Sequence, residues 1–214
     1  MSPSRMRFLL LSSCLFILAG CSSVYKNLQP ATGDITHIKK FAPVFKNALY
    51  NTQVDVAGHH LSGLLFIKTL PDSSVRMVFS NKMGFKFFDF EFKRDGGFKV
   101  YYIIKQMDKR AVIITLRKDF ELIMMRKQNT GTAYIRTDDQ YVYYVFPQEK
   151  GFNYYITNKA GTELVRMERS SSRKPVVQAI MKNFRNAIPD TIGIAHKNFS
   201  FNISLKRLER NAAE

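Results

Sequence analysis

From about Phe45 to the end of the chain, apolar side chains recur at every second position in one run after another. This period of two restricts the chain to a β-rich fold. His60 to Leu70 is the first clear strand, stopped by Pro71-Asp72-Ser73-Ser74. In the next, Val75, Met77 and Phe79 alternate with Arg76, Val78 and Ser80. Phe85 to Arg94 and Phe98 to Lys105 flank Asp95-Gly96-Gly97, a hairpin signal because glycine reaches positive φ. After residue 130 the runs 134–136, 141–146, 152–157, 162–169, 176–184, 192–196 and 199–208 read as a meander. One amphipathic helix interrupts them over 108–126, with Asp108 as expected N-cap and Ile113, Leu116, Phe120, Ile123 and Met124 at helical spacing. A short helix capped by Asp34 is expected through His37, Lys39 and Lys40 and ends before Pro43.

Several strands are apolar on both faces. In Phe85 to Phe92, Phe88, Phe90 and Phe92 are expected on one side, with Phe85 and Phe87 on the other. A sheet with one wet face does not have this pattern. Either helices cover both sides, or the sheet encloses an apolar cavity. Two candidate helices are too few for two covers, which favours a cavity over an ordinarily packed core. The expected fold class is mainly β (α+β): an incomplete, strongly curved antiparallel β-barrel of about ten strands, with covering helices around an apolar cavity.

The N-terminus carries a different message. Arg5 and Arg7 precede an apolar run from Phe8 to Leu18, closed by Leu18-Ala19-Gly20-Cys21. The run is short of the roughly 20 residues of a spanning helix and reads as a secretory signal. Its last four residues resemble the lipobox of bacterial lipoproteins, which implies cleavage before Cys21 and covalent diacylglycerol and N-acyl (palmitate-type) lipid on that cysteine, with no other cofactor. The chain then divides into a signal (1–20), a lipidated tether (21–33) and one folded domain (34–210). Fully extended, Ser22 to Thr32 would reach roughly 40 Å. Of the two cysteines in the chain, Cys14 leaves with the signal and Cys21 carries lipid, so no internal disulfide is expected. The formal charge of +16 is scattered along the chain. An exported lipoprotein seldom meets nucleic acid. The charge therefore points to anionic phospholipid or to a solvated basic surface, and not to a nucleic-acid partner.

No constellation of catalytic residues stands out, and the chain is not expected to be an enzyme. His59 and His60 are adjacent, so on a strand they point to opposite faces and make a poor metal pair. His37 and His196 lie far in sequence from any carboxylate cluster, and Asp138-Asp139 reads as turn chemistry. No Gly-rich phosphate loop and no Gly-x-Ser-x-Gly elbow occurs.

The segment Arg76 to Glu91, with its turn Asn81-Lys82-Met83-Gly84 between two strands, resembles the LolA/LolB lipoprotein-localisation family, and the LolB branch within it. That branch has Asn-Pro-Leu-Gly at the turn. Ser62-Gly63-Leu64-Leu65-Phe66 fits the family's preceding strand, the helix at 108–126 its covering helix, and Pro189 to Ile192 with Phe201 to Leu205 its closing hairpin. The resemblance spans most of 45–208. It implies a lipid-anchored protein on the periplasmic face of the outer membrane. Such a protein accepts acylated lipoproteins from a LolA-like periplasmic carrier and inserts them into the inner leaflet, with the bilayer as further partner and a monomer as working unit. Ser22-Ser23 lacks the aspartate that often marks inner-membrane retention. Met83 takes the place of the family's membrane-touching leucine, flanked by Lys82 and Gly84. Lys82 departs from the family's proline, and the chain has no Trp. The acyl-chain cavity is expected to draw on Leu64, Phe66 and Val78, then on Phe88, Phe90, Tyr102 and Ile104. Ile113, Leu116 and Phe120 of the helix and Tyr144 and Phe146 of a later strand complete it. A one-residue slip would reverse the face of any strand in this assignment. The alternative is a non-catalytic envelope lipoprotein that binds lipid or a partner with the same fold. A hydrolase with a site hidden from sequence is a third, remoter reading.

Overall fold

The computed structural model describes residues 23–56, 58–126 and 128–208. Cys21 and the expected signal 1–20 lie outside them, as do residues 209 and 210 of the expected folded domain. The described residues form one antiparallel sheet of 13 strands. In chain order these are β1 (Gln29–Ala31), β2 (Asn47–Val56), β3 (His59–Thr69), β4 (Val75–Ser80), β5 (Lys86–Phe92), β6 (Phe98–Ile103), β7 (Tyr134–Thr137), β8 (Tyr141–Pro147), β9 (Phe152–Asn158), β10 (Leu164–Ser170), β11 (Pro175–Arg185), β12 (Ile188–His196) and β13 (Phe201–Arg207). A 3-10 helix (Ile35–Phe41) follows β1, and α1 (Arg110–Ile123) lies between β6 and β7. Across the sheet the order is β1-β7-β8-β9-β10-β11-β12-β13-β2-β3-β4-β5-β6, and the edge strands β1 and β6 do not pair, so it stays open.

The expected incomplete, mainly β antiparallel sheet is thus open, and its strand count is corrected from about ten to 13. Two strands account for much of the difference. β2 alternates buried and exposed residues and pairs along its length with β3 and β13, which joins the two halves of the chain. β1 comes from the stretch expected to be free tether. Gln29 to Ala31 pair with β7, and Ser23 to Leu28 cross the outer face of β8 to β10. Along that path the Val24 amide donates to the Arg173 carbonyl at 2.9 Å. The Tyr25 ring stacks on Tyr154 with centroids 4.3 Å apart, and its hydroxyl donates to Glu168 Oε2 at 2.6 Å. Burial, and then the Glu168 carboxylate, push the Tyr25 hydroxyl pKa far above its ordinary value. This strap covers a small outer cluster of Tyr143, Val145, Tyr154 and Ile156. That is why β8 and β9 are apolar on both faces.

The inner face carries the main core. Tyr50, Leu65, Ile67, Met77, Phe90, Phe92 and Phe146 are fully buried there, with Ile38 of the 3-10 helix and Phe120, Leu122 and Ile123 of α1 and its end. Asp34 caps the 3-10 helix as expected, accepting from the Thr36 amide at 2.8 Å. The expected cap of α1 is corrected: the N-cap is Lys109, with no side-chain cap bond, and the helix starts at Arg110. Asp108 instead donates its amide into a turn to Ile104 at 3.0 Å.

α1 is tied to the sheet by a buried carboxylate. Asp119 is fully buried, with Oδ2 2.8 Å from His196 Nε2 on β12 and Oδ1 3.0 Å from Arg169 Nη1 on β10. The arginine contact is close but poorly aligned for hydrogen bonding, so it acts as an ion pair. His196, remote in sequence from acids, therefore has one as its partner in space. Removing one member of such a buried cluster leaves the others uncompensated. Asp119→Ala is expected to lower unfolding free energy by about 3–5 kcal/mol, read from denaturant titration. A loss no larger than that of a surface substitution would contradict this role.

Candidate functional site

Strict antiparallel pairing sends alternate turns to opposite rims of the sheet. One rim collects the β2–β3 turn, the β4–β5 turn (81–85), the connection 104–109, and the turns at 148–151, 171–174 and 197–200. Between the sheet and the N-terminal half of α1, a cavity of about 760 Å³ opens at this rim. Small-molecule sites span roughly 300–1,000 Å³. Its walls are chiefly hydrocarbon and aromatic. Val54, Leu65, Phe79 and Ile203 come from neighbouring strands, Val112, Leu116 and Phe120 from α1, and Phe85, Phe87, Met107 and Phe199 from the mouth. The polar lining is sparse: Thr52, His59, Gln106, Lys109 and Thr115. His59 lines the mouth while His60 faces away and bonds Asp55 at 2.7 Å, the opposed orientation expected of neighbours on a strand.

The expected cavity residues fall into three groups. Phe88, Ile104, Leu116 and Phe120 line the cavity. Phe90, Tyr144 and Phe146 are buried in the same apolar cluster but pack away from the opening. Leu64, Phe66 and Val78 are brought together, but on the outer face, in a separate cleft of about 620 Å³. Tyr102 also faces outward, 42% exposed, with Lys86 Nζ 5.9 Å above its ring. Ile113 is half-buried on α1 and does not line the cavity; its neighbour Val112 does.

The reason for the reversed strands is parity. In the run Leu64-Leu65-Phe66-Ile67 every position is apolar, so hydrophobicity cannot choose a face. The flanking polar residues do. Ser62 and Lys68 share a face with Leu64 and Phe66, and Arg76 and Ser80 share one with Val78. Those polar side chains go to water, which puts Leu65, Ile67, Met77 and Phe79 inside. The walls from Val54, Phe201 and Ile203 were legible in the alternation of β2 and β13.

The expectation that Phe85 and Phe87 oppose Phe88, Phe90 and Phe92 is also corrected. The β4–β5 register shifts between Phe79 and Ser80, since Phe79 pairs with Phe88 and Ser80 with Lys86. Phe87 is the extra residue of a β-bulge, and a bulge breaks alternation. Phe87 and Phe88 therefore both face inward, with ring centroids 4.8 and 5.6 Å from Phe79. The same region needs Gly63, because a Cβ there would stand 2.1 Å from the Ser80 carbonyl oxygen.

The hairpin beyond the bulge projects from the rim. Asn81 Oδ1 accepts from the amides of Met83 (3.0 Å) and Phe85 (2.8 Å), and Gly84 takes φ 88°. Met83 is 93% exposed at the tip. The turn is held in shape by Asn81 and Gly84, so Lys82 in place of a proline does not leave it without internal bonds.

On the outer face below the hairpin, Asp89 is buried and accepts from Arg76 Nε at 2.8 Å and Lys86 Nζ at 2.9 Å. Burial pushes its pKa up, but the hydrogen bonds and charges of Arg76 and Lys86 outweigh that and hold it below the ordinary carboxylate value. A depressed folded pKa stabilises the fold above the unfolded pKa, and this contribution is lost as pH falls through the folded value. Wild-type stability should therefore drop below about pH 4. Asp89→Asn should be less stable near neutrality and show a shallower fall in that acid range. An unchanged acid slope in the variant would refute the assignment.

Neither a protein-family model nor a curated protein matches the sequence. Solved structures do match in fold. A LolA superfamily protein from Nitrosomonas europaea aligns with TM-score 0.50 at 10% identity, covering 85% of this chain and 96% of that one. A DUF1329 family protein from Desulfovibrio piger aligns with TM-score 0.41 at 7% identity, covering 84% and 91%. A domain from Vibrio parahaemolyticus named for outer-membrane lipoprotein sorting aligns with TM-score 0.48 at 6% identity, covering 84% and 92%. The chain thus shares the open, curved β fold of a LolA superfamily protein.

Proposed function

We propose that this protein is a lipid-anchored acceptor of acylated lipoproteins, which takes them from a LolA-like periplasmic carrier and inserts them into the inner leaflet of the outer membrane. The observation that carries this reading is the apolar cavity of about 760 Å³ opening beside an exposed Met83. An acyl chain costs about 0.8 kcal/mol per CH₂ left in water. Transfer between carrier, cavity and bilayer therefore needs continuous apolar surface and no catalytic group. The bilayer is the deepest sink and gives the direction. Met83 suits the last step. Burying one methionine contributes about 1.5–3 kcal/mol, negligible beside covalent lipid on Cys21, so its role is to bring the mouth to the interface and not to attach the protein. The lipobox-like Leu18 to Cys21 supports the anchor, and the fold shared with a LolA superfamily protein supports a lipoprotein client.

The second reading, a module that binds lipid or an envelope partner without handing anything on, draws on the same cavity. Two variants separate the readings. Val112→Trp fills the cavity from α1 and is expected to weaken binding of a fluorescent long-chain acyl probe at least about tenfold, with melting temperature little changed. Unaltered probe affinity would place the ligand elsewhere. Met83→Glu is expected to keep probe binding but lose transfer of a carrier-bound lipoprotein to liposomes, measured by flotation. Probe binding with no transfer by the unsubstituted protein favours the second reading.

A further inference from the structure

The two rims of the sheet differ in chemistry. The four most exposed large apolar side chains among the described residues are Met83 (93%), Val24 (63%), Phe85 (56%) and Phe199 (52%), and all four lie at the cavity rim. Val24 is placed there by its bond to Arg173, Met83 and Phe85 by the β4–β5 turn, and Phe199 by the β12–β13 turn. The described turns of this rim carry seven exposed cations (Lys82, Lys105, Lys109, Lys150, Arg173, Lys174 and Lys197) against two acids, Asp108 and Glu149. The far rim, with its turns at 70–74, 93–97, 138–140, 159–163 and 186–187 and the connection 42–46, is nearly balanced: Lys46, Lys93, Arg94 and Lys159 there meet Asp72, Asp95, Asp138, Asp139 and Glu163. Of the two rims, the cavity rim therefore carries the net positive charge.

The strap adds an orientation. Ser23 Oγ donates to the Ser172 carbonyl at 3.1 Å, in the β10–β11 turn of the same rim. Ser23 follows Cys21 by two residues, a reach of about 7 Å. A chain docked from Ser23 onward cannot swing on a long tether, so a lipid at Cys21 holds the cavity rim, and not the far rim, against the membrane.

We infer that the whole cavity rim is a bilayer-docking surface for anionic phospholipid. In it, Val24, Phe85 and Phe199 enter the interface beside Met83, Arg173, Lys174 and Lys197 meet the headgroups, and the strap of residues 23–28 fixes the mouth toward the lipid. This rests on the proposed lipid-anchored acceptor for its membrane and adds the surface that meets it. Exposed apolar tips spaced among cations fit an interface with acidic headgroups at one level and acyl chains beneath. An acidic protein surface would use the cations but leave the four apolar tips in water.

The test uses the full chain, processed and lipidated in a bacterial host and reconstituted into phosphatidylcholine vesicles with or without phosphatidylglycerol. A single nitroxide is placed at the cavity rim by Asn198→Cys, or at the far rim by Asp95→Cys, and its depth is read by power-saturation electron paramagnetic resonance. The label at 198 is expected at headgroup depth in phosphatidylglycerol vesicles, and the label at 95 in water in both. Each basic residue near an anionic surface contributes about fivefold. The triple variant Arg173→Gln, Lys174→Gln, Lys197→Gln should therefore move the docked-to-undocked ratio on the order of 100-fold toward water. High salt, which cuts the screening length to about 3 Å at 1 M, should do the same. All three side chains are exposed, so an unchanged melting temperature accompanies the expected result.

The inference is overturned if the label at 198 stays aqueous on phosphatidylglycerol, if both labels sit at equal depth, or if 198 is shielded only on adding an acidic carrier protein. Mass spectrometry of the processed chain reports lipid on Cys21 separately. If that lipid is absent, the anchored reading fails, and the rim is then read by co-sedimentation of the chain with phosphatidylglycerol vesicles. There, loss of binding in the triple variant supports docking, and equal binding overturns it. Acyl-probe affinity reads the cavity, so its failure is distinguishable from failure of the rim.

Discussion

The inner face of the sheet presents more aromatic and aliphatic surface than its covers can fill. Thirteen strands are backed by a helix of 14 residues and a 3-10 helix of 7. Protein interiors close up to crystal-like density wherever side chains can reach one another. Toward the far end they do: Phe90 and Phe92 pack on Phe98 with ring centroids 5.2 and 5.0 Å apart. Toward the other rim the N-terminal half of α1 stands off from β2 to β5 and β13, and the space between stays open. The cavity is thus a shortfall of cover, localised by where one helix is pinned. That pin is Asp119, fully buried, with Arg169 and His196 of the sheet around it.

Local irregularities shape the opening. The extra residue at Phe87 adds an aromatic ring to the inner face of β5, where regular alternation would have pointed it outward. Gly63 lets the end of β4 come close over β3. Together they place Phe79, Phe85, Phe87 and Phe88 around the mouth and send the β4–β5 hairpin out beyond it. Below, Asp89 between Arg76 and Lys86 gives the hairpin a charged seat on its outer side. One strand pair therefore carries both a wall of the cavity and the projection beside it.

The outer face answers the other half of the pattern. Tyr25 and Leu28 lie over the apolar outer residues of β8 and β9, a cover drawn from the chain just after the cysteine read as a lipid site. Burial of the strap and the position of the cavity rim are thereby coupled. The residues that complete the outer packing also decide which end of the sheet lies beside the start of the domain. On β3 and β4, Leu64, Phe66 and Val78 have no such cover among the described residues and line a cleft on the outer face.

Much of this was legible in the residues themselves. Period-two alternation determined a β-rich chain and most of its strands, Asn81 to Gly84 a turn between two of them, Asp34 a helix cap, and two-sided apolarity a sheet that must be covered or hollow. Each is a local matter of dihedral preference and hydrogen-bonding reach, within a few residues. The face of Leu64 to Ile67 was legible too, once Ser62 and Lys68 are counted in its parity, whereas the inward turn of Phe87 was decided by tertiary structure, since a bulge arises from the register of two strands and one strand cannot announce it alone. The meeting of His196 with Asp119, the docking of residues 23–28, and the gathering of cations and exposed apolar tips on one rim likewise join parts of the chain far apart in sequence. Only the pairing order of the strands brings them together, because contact across a sheet depends on register and not on sequence separation.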